Sequence, residues 1–362
     1  MPASANATAG RPMAGSRAVA KEGGGAKAAR TICASLAVAL GLCVLVSFVP
    51  DNPYQRWQLA PRPLFQTVPW IYERIHFDPR PIDVVVVGPS KTFNGVNMAE
   101  VERRLAERAR TVSVANFSLP AEGRNVNWAI LEETFKAKSP KVIVIGVDAL
   151  SVEYGHPAFK DIASAKAIAV PPAFLLHDYF YDLVHLPARQ VALLFARFFP
   201  GLAGLRDAFD PAIYARTKSD FSEGRYVLEG KTIDMDAEVP ADVLLRRPLS
   251  DPAQATTATT RLLMRCCNEG DERVYLKQIV ELARAHGARL IFAFMPDYDD
   301  TRPVAARAFL SQYGEILDNG DLSRNSALYY NRQHMNHAGA VIVSDRLAAL
   351  IAEGGPPPGA AR

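Results

Sequence analysis

The chain has 362 residues, 49% of them hydrophobic and 22% charged, with a net charge of +3, enough for one large domain with a sizeable core. Five of the basic residues (Arg11, Arg17, Lys21, Lys27 and Arg30) stand in the first thirty positions against one acid, Glu22, so the rest of the chain is slightly acidic and has no basic surplus for nucleic acid. The four cysteines, Cys33, Cys43 and the adjacent Cys266 and Cys267, lack the spacing of a zinc site. Free thiols are expected, and no metal or cofactor.

Residues 1–30 are Ala/Gly-rich without aromatics and are expected to be a disordered cytoplasmic head. Residues 31–49, TICASLAVALGLCVLVSFV, carry no charge, and as a helix they approach the thickness of a bilayer's hydrocarbon core. The run is longer than an ordinary signal-peptide core and no A-x-A-like site follows it, so an uncleaved anchor is expected, with a cleaved signal or a buried helix as alternatives. Leu42 before Cys43 does not fit a lipoprotein site. Basic residues ahead of the run orient that end toward the cytoplasm, placing everything after residue 50 outside a bacterial inner membrane.

Residues 50–80 read as a linker and lead-in. Strands and helices then alternate. Residues 82–88 (IDVVVVG) form a continuous apolar run, as in a strand buried on both faces. Helical spacing follows at 96–108, a strand at 111–119, a helix at 125–137 and a strand at 141–148. An amphipathic helix at 272–287, a strand at 288–296 and a closing helix from 337 complete the pattern. It predicts an α/β domain over 81–353, a mostly parallel sheet covered on both faces, with its site at the carboxyl ends of the strands. Residues 151–262 break the alternation and read as a helical insertion over that carboxyl edge. His, Asp and Arg interrupt its apolar stretches, which argues against a second span; a surface-lying amphipathic helix at 188–206 is the alternative. Residues 354–362 read as a disordered tail.

Two motifs carry chemistry. The first strand ends in Gly88-Pro89-Ser90, which either simply terminates the strand or presents a nucleophile. A serine needs a base, and the base needs a group to orient it. Near the C-terminus stands YYNRQHMNHAGA, residues 329–340, an amide-x-x-His pattern directly before the last helix. A serine after the first strand together with this ending resembles the SGNH/GDSL hydrolase superfamily, and within it the membrane-anchored envelope branch of DltD-like and alginate O-acetylation-type proteins. The likeness covers most of residues 80–352. It implies a three-layer α/β/α, flavodoxin-like domain in which Ser90 is the nucleophile and His334 the general base. Asn331 stands where that family usually has Asp. Ala121 takes the place of the glycine whose N–H faces the oxyanion, with Gly123 two residues on, and Asp148 replaces the asparagine whose amide donates to it. An ionised aspartate accepts only, so Asp148 must be protonated, point elsewhere or orient another group. Thr92 distinguishes the turn from the Gly-x-Ser-x-Gly elbow of α/β-hydrolases.

Further candidates have bland readings beside the functional ones. Asp297, Asp299 and Asp300 read as a solvated turn, with a metal site as the alternative, and Asp297 or Asp299 is a candidate for the missing acid. His337 reads as a first-turn residue, and Lys91 and Arg332 either meet an anionic substrate or flank the site. The resemblance implies acyl transfer through an acyl-serine, by an O-acetyltransferase or an esterase, on a cell-envelope or exopolysaccharide substrate, with a membrane-bound acyltransferase as partner. The alternative is a weak or inactive accessory subunit of an envelope polysaccharide assembly.

Overall fold

A computed structural model describes residues 22–151, 154–172, 176–249 and 270–354, the side chains of 22–26 excepted. Cys266, Cys267, residues 250–262 of the insertion and residues 355–362 of the tail lie outside the described residues, as do residues 1–21 of the head. The chain divides into two compact units, Met1–Val46 and Ser47–Arg362.

The first unit holds helix α1 (Glu22–Ser47), of which Lys27–Ser47 is long and apolar enough to cross a membrane and is exposed as far as Leu45. Helix begins at Glu22, so residues 22–30 of the head are helical rather than disordered. Extending an existing helix costs far less than nucleating one, and Ala, Lys and Arg at 26–30 extend it well, although Gly23, Gly24 and Gly25 disfavour it.

In the second unit, residues 50–80 do more than link. Helices α2 (Pro53–Trp57) and α3 (Val68–His76) bury Tyr54, Trp57, Trp70 and Ile71 in the domain core. Asn52 caps α2 by accepting the Tyr54 N–H, and Pro53 sits at the first helical position, where its missing N–H costs nothing.

The sheet has five parallel strands: β1 (Val84–Val87), β2 (Val114–Asn116), β3 (Val142–Val147), β6 (Arg289–Phe294) and β7 (Glu315–Asp318), in the order β2-β1-β3-β6-β7. Between β3 and β6 a separate antiparallel hairpin, β4 (Arg225–Leu228) and β5 (Lys231–Asp234), interrupts the chain. Both faces of the sheet are packed. Val85, Val87, Ile143 and Ile145 share one core with α3, α6 (Arg124–Ala137) and α8 (Asp271–Ala285). Val84, Val86, Val142 and Val144 share the other with α5 (Met98–Ala106) and α9 (His337–Glu353). Burial on both faces is why β1 reads as uninterrupted valine, each contributing about 1.5 kcal/mol or more when removed from water. The strand order reverses between β1 and β3, and in such sheets the crevice for a ligand lies at the carboxyl ends of those strands. Strand β7 escapes the sequence reading because Glu315–Asp318 is a short, half-exposed edge.

The insertion is not wholly helical. Beside α7 (Tyr179–Phe198) and several helices of one or two turns it contains the β4–β5 hairpin. Glu229 and Gly230 both adopt positive φ at its tip, the geometry of a two-residue primed turn. An acidic residue followed by glycine between short strands was the available signal. The hairpin reaches the carboxyl end of β1, where Phe221 stacks on Phe93 at 4.4 Å and Tyr226 and Met235 close a small core. Helix α7 packs instead on α2 and the one-turn helices at Phe159–Ile162 and Ala165–Ala169.

Candidate active site

The turn after β1 is shaped by close packing. Thr92 is fully buried between the ends of β1 and β3, and a Cβ on Gly146 would lie 1.8 Å from its Oγ1. Glycine at 146 therefore makes the space in which the turn sits. Helix α4 (Ser90–Gly95) begins at Ser90 itself, and the Thr92 and Phe93 N–H groups bond the Pro89 carbonyl at 3.0 Å. Asn116, at the end of β2, donates its amide to the carbonyls of Thr92 (3.1 Å) and Val96 (3.2 Å) and ties this helix to the sheet.

The second motif arrives from the other end of the chain. Residues 329–335 form a small hairpin, β8 (Tyr329–Asn331) and β9 (His334–Met335), and Asn336 caps α9 by accepting the Gly339 N–H. Nε2 of His334 lies 2.7 Å from Oγ of Ser90, although 244 positions separate them in sequence. Nδ1 of His334 lies 3.0 Å from Oδ1 of Asn331. That Oδ1 also accepts the backbone N–H groups of Gln333 (2.9 Å) and His334 (3.0 Å). Two fixed donors rule out the flipped amide, so Nδ1 must carry the proton and Nε2 is left to accept from the serine hydroxyl. Tyr330 stacks on the ring at 5.6 Å. Burial, with the charges of Lys91 and Arg247, pushes His334 down to about 3, so the imidazole is neutral across the physiological range.

Next to Ser90, Lys91 is nearly buried. Its ammonium lies 2.6 Å from Oδ2 of Asp148 and 2.5 Å from Oδ1 of Asp297. Burial opposes the charge, but the two carboxylates outweigh it and hold the lysine protonated above its ordinary range. Asp148 therefore orients another group, and its Oδ1 accepts the Ala149 N–H at 2.6 Å. Asp297 is 1% exposed, and the Lys91 ammonium is the charge that meets its carboxylate. Burial lifts its carboxyl although Lys91 pulls the other way.

The solvated turn expected at 297–300 is thus corrected. Asp297 and Asp300 are buried, paired with Lys91 and Arg302, and only Asp299 is exposed. Asp297 is engaged by Lys91, while His334 Nδ1 meets Asn331. Among the described residues no cluster of His, Cys, Asp and Glu could hold a metal ion.

Ala121 has φ +77°, a left-handed backbone that favours glycine, and Gly123 has φ +135°. The exchange of glycine for Ala121 is therefore a strained one, not the neutral one its backbone role suggests. Ala121→Gly is expected to raise stability by about 1 kcal/mol, checked by the denaturant midpoint; an unchanged or lower midpoint would count against strain at this position. Glu122, between them, is pushed up to about 8 by burial and then by Asp148's charge. It lines a cavity of about 30 Å³ together with Arg124, Asp148 and Glu272.

His337 opens α9 with Nδ1 3.2 Å from the Ser222 carbonyl, away from the Ser90 contact. Arg332 spends its guanidinium on backbone carbonyls, that of Arg247 at 2.6 Å. The sequence reading passed over Asn94, whose amide joins the Phe221 carbonyl (2.8 Å) and the Tyr226 hydroxyl (2.6 Å), tying the insertion to the serine helix. An asparagine in a helix otherwise spaced for burial was its only signal. No protein-family model matches the chain. No significant match to a curated protein was found.

Proposed function

We propose that the protein is a membrane-anchored, periplasmic serine acyltransferase or esterase of the SGNH type, acting on a cell-envelope or secreted polysaccharide. The observation that carries this reading is the relay Ser90 Oγ to His334 Nε2 and His334 Nδ1 to Asn331 Oδ1, at 2.7 and 3.0 Å. It stands at the carboxyl end of a parallel sheet, where such sheets hold their ligands.

In this mechanism Ser90 Oγ attacks the acyl carbonyl carbon while its proton passes to His334 Nε2. The tetrahedral intermediate collapses, the leaving oxygen takes the proton from His334, and an acyl-serine remains. Water or a sugar hydroxyl then gives its proton to His334 and attacks the acyl carbon, and as the bond to Ser90 Oγ breaks His334 returns the proton to that oxygen. The Thr92 and Phe93 N–H groups are taken by the Pro89 carbonyl, which leaves those of Ser90 and Lys91 at the start of α4, and with the Ala121 N–H they are the donors for the oxyanion. The donor lost when aspartate replaces asparagine at 148 is supplied by Lys91, whose ammonium two carboxylates hold in place before the substrate arrives. Sugar and membrane roles rest on the family resemblance and on α1. The test is covalent labelling of the purified full chain by a fluorophosphonate, with Ser90→Ala as control. Labelling that Ser90→Ala abolishes supports the enzyme; a folded chain that resists labelling supports the accessory-subunit reading instead, which the missing acid at 331 favours.

Two expectations follow from the histidine. A base held near 3 stays neutral as pH falls through 6.5, so the labelling rate should not drop there. A rate that halves near 6.5 would contradict the buried neutral imidazole. Asn331→Asp places a charge against the ring while keeping the same three N–H donors. The imidazolium formed in the transition state gains about 1.4–3 kcal/mol after desolvation is counted, a tenfold to hundredfold faster acylation. The same charge favours protonated His334, so the acid limb should move to higher pH. Slower acylation in a folded Asn331→Asp chain would sink this account of the relay.

A further inference from the structure

Helix α7 has two faces of opposite character. Asp182, Leu186, Arg189, Gln190, Leu193 and Ala196 are buried. Phe180, Val184, Val191, Phe195 and Phe198, with Leu202 just beyond the helix, recur at helical spacing on the other side and are exposed, Val184 by 78%, Phe198 by 67% and Leu202 by 80%. Residues 183–206 contain no acid; of their arginines Arg197 is exposed, while Arg189 is buried and Arg206 pairs with Glu73 at 2.7 Å. An apolar stripe of this size, free of acids along its length, is unusual on a surface that meets only water.

Its place in the chain says what it meets. Gln190 donates its amide to the Val49 carbonyl at 2.9 Å, Gln55 donates to the Ala196 carbonyl at 3.3 Å, and Gln58 to the Arg206 carbonyl at 2.9 Å. Val49 is two residues beyond the end of α1. Whatever direction α1 takes, covalent geometry keeps the Gln190 amide, in the middle of α7, within roughly 12 Å of the point where that helix ends. If α1 spans the bilayer, that point lies in the headgroup layer, where an amphipathic helix buries its apolar face by about 5–10 Å.

We infer that α7 is a second, interfacial attachment of this protein: its Phe180–Leu202 stripe lies in the surface of the bilayer that α1 crosses, with the exposed Arg197 on anionic headgroups. The inference rests on α1 being a membrane span, the part of the proposed function it deepens. Two attachments restrict the tilt of the domain and hold its site at a limited range of heights above the lipid.

The test uses the full chain with a tryptophan reporter, Phe198→Trp, and separately Leu202→Trp, both at exposed positions that tolerate the larger ring. Each is reconstituted into vesicles of phosphatidylcholine and phosphatidylglycerol, and into matched vesicles whose phospholipid is brominated near the top of the acyl chain. The native tryptophan signal of the unmodified chain is subtracted. The expected result is that the chain floats with the vesicles, the reporter loses most of its emission in brominated lipid, and aqueous iodide no longer quenches it. A chain that floats while its reporters stay open to iodide overturns the inference and leaves the span standing. Reporters shielded from iodide but unaffected by brominated lipid overturn it in favour of contact between copies of the chain. A chain that does not float overturns both the span and the inference.

Discussion

Ser90→Ala and His334→Ala are each expected to lower acyl turnover at least about 10³-fold, and the double variant is expected to be no worse than either alone. Groups that act in one relay lose the same function whichever is removed, so their effects do not add. The geometry makes this a sharp expectation: Ser90 Oγ and His334 Nε2 are 2.7 Å apart, and the tautomer that leaves Nε2 as acceptor is set by two backbone N–H groups on Asn331. The loss should be smaller than in a site with a full acid, because the starting enzyme lacks the charge that would stabilise the imidazolium. The measurement is single-turnover acylation with an activated ester on the three variants, each checked for native unfolding. Additive losses would show that the two residues act separately, and an unaffected His334→Ala would remove the general base from the mechanism.

The second large effect is expected at Lys91. Lys91→Met should slow acylation by about 10²- to 10³-fold, the cost of removing one donor to an oxyanion. It should also destabilise the domain by roughly 3 kcal/mol, since the buried Asp297 loses its charge partner and the partly buried Asp148 keeps only the Ala149 N–H. The two effects separate in the triple variant Lys91→Met, Asp148→Asn, Asp297→Asn. Neutral amides restore stability, and the amide introduced at position 148 can donate where the carboxylate of Asp148 only accepts. The triple variant should therefore regain part of the lost rate along with its midpoint. Stability recovered without any rate, or a folded Lys91→Met variant at full rate, would reduce the lysine to a structural ion pair. The ordinary alternative, that Lys91 merely flanks the site, predicts the second outcome.

Much of the layout follows from local pattern. The valine run at 84–87, the apolar run at 142–147 and the amphipathic helix at 271–285 are each determined by their own periodicity, because a strand covered on both faces has no exposed position to break it. The amide-x-x-His motif announced the base in the same way: a local turn puts Asn331 against its own neighbours. Other features depend on elements far apart in the chain. That Ser90 and His334 meet is decided by α4 and the β8–β9 hairpin packing together at one end of the sheet. Asp297 becomes buried because Lys91, about two hundred residues earlier, needs a partner that the turn's own sequence does not reveal. The strain at Ala121 is a backbone angle of the turn between β2 and α6, not a preference of alanine. The sequence by itself thus determined the alternating α/β chain, the apolar N-terminal helix and the two motifs. Only the tertiary structure decided their charges and partners, since desolvation and ion pairing depend on what the fold brings within a few ångströms, and local periodicity carries no record of that.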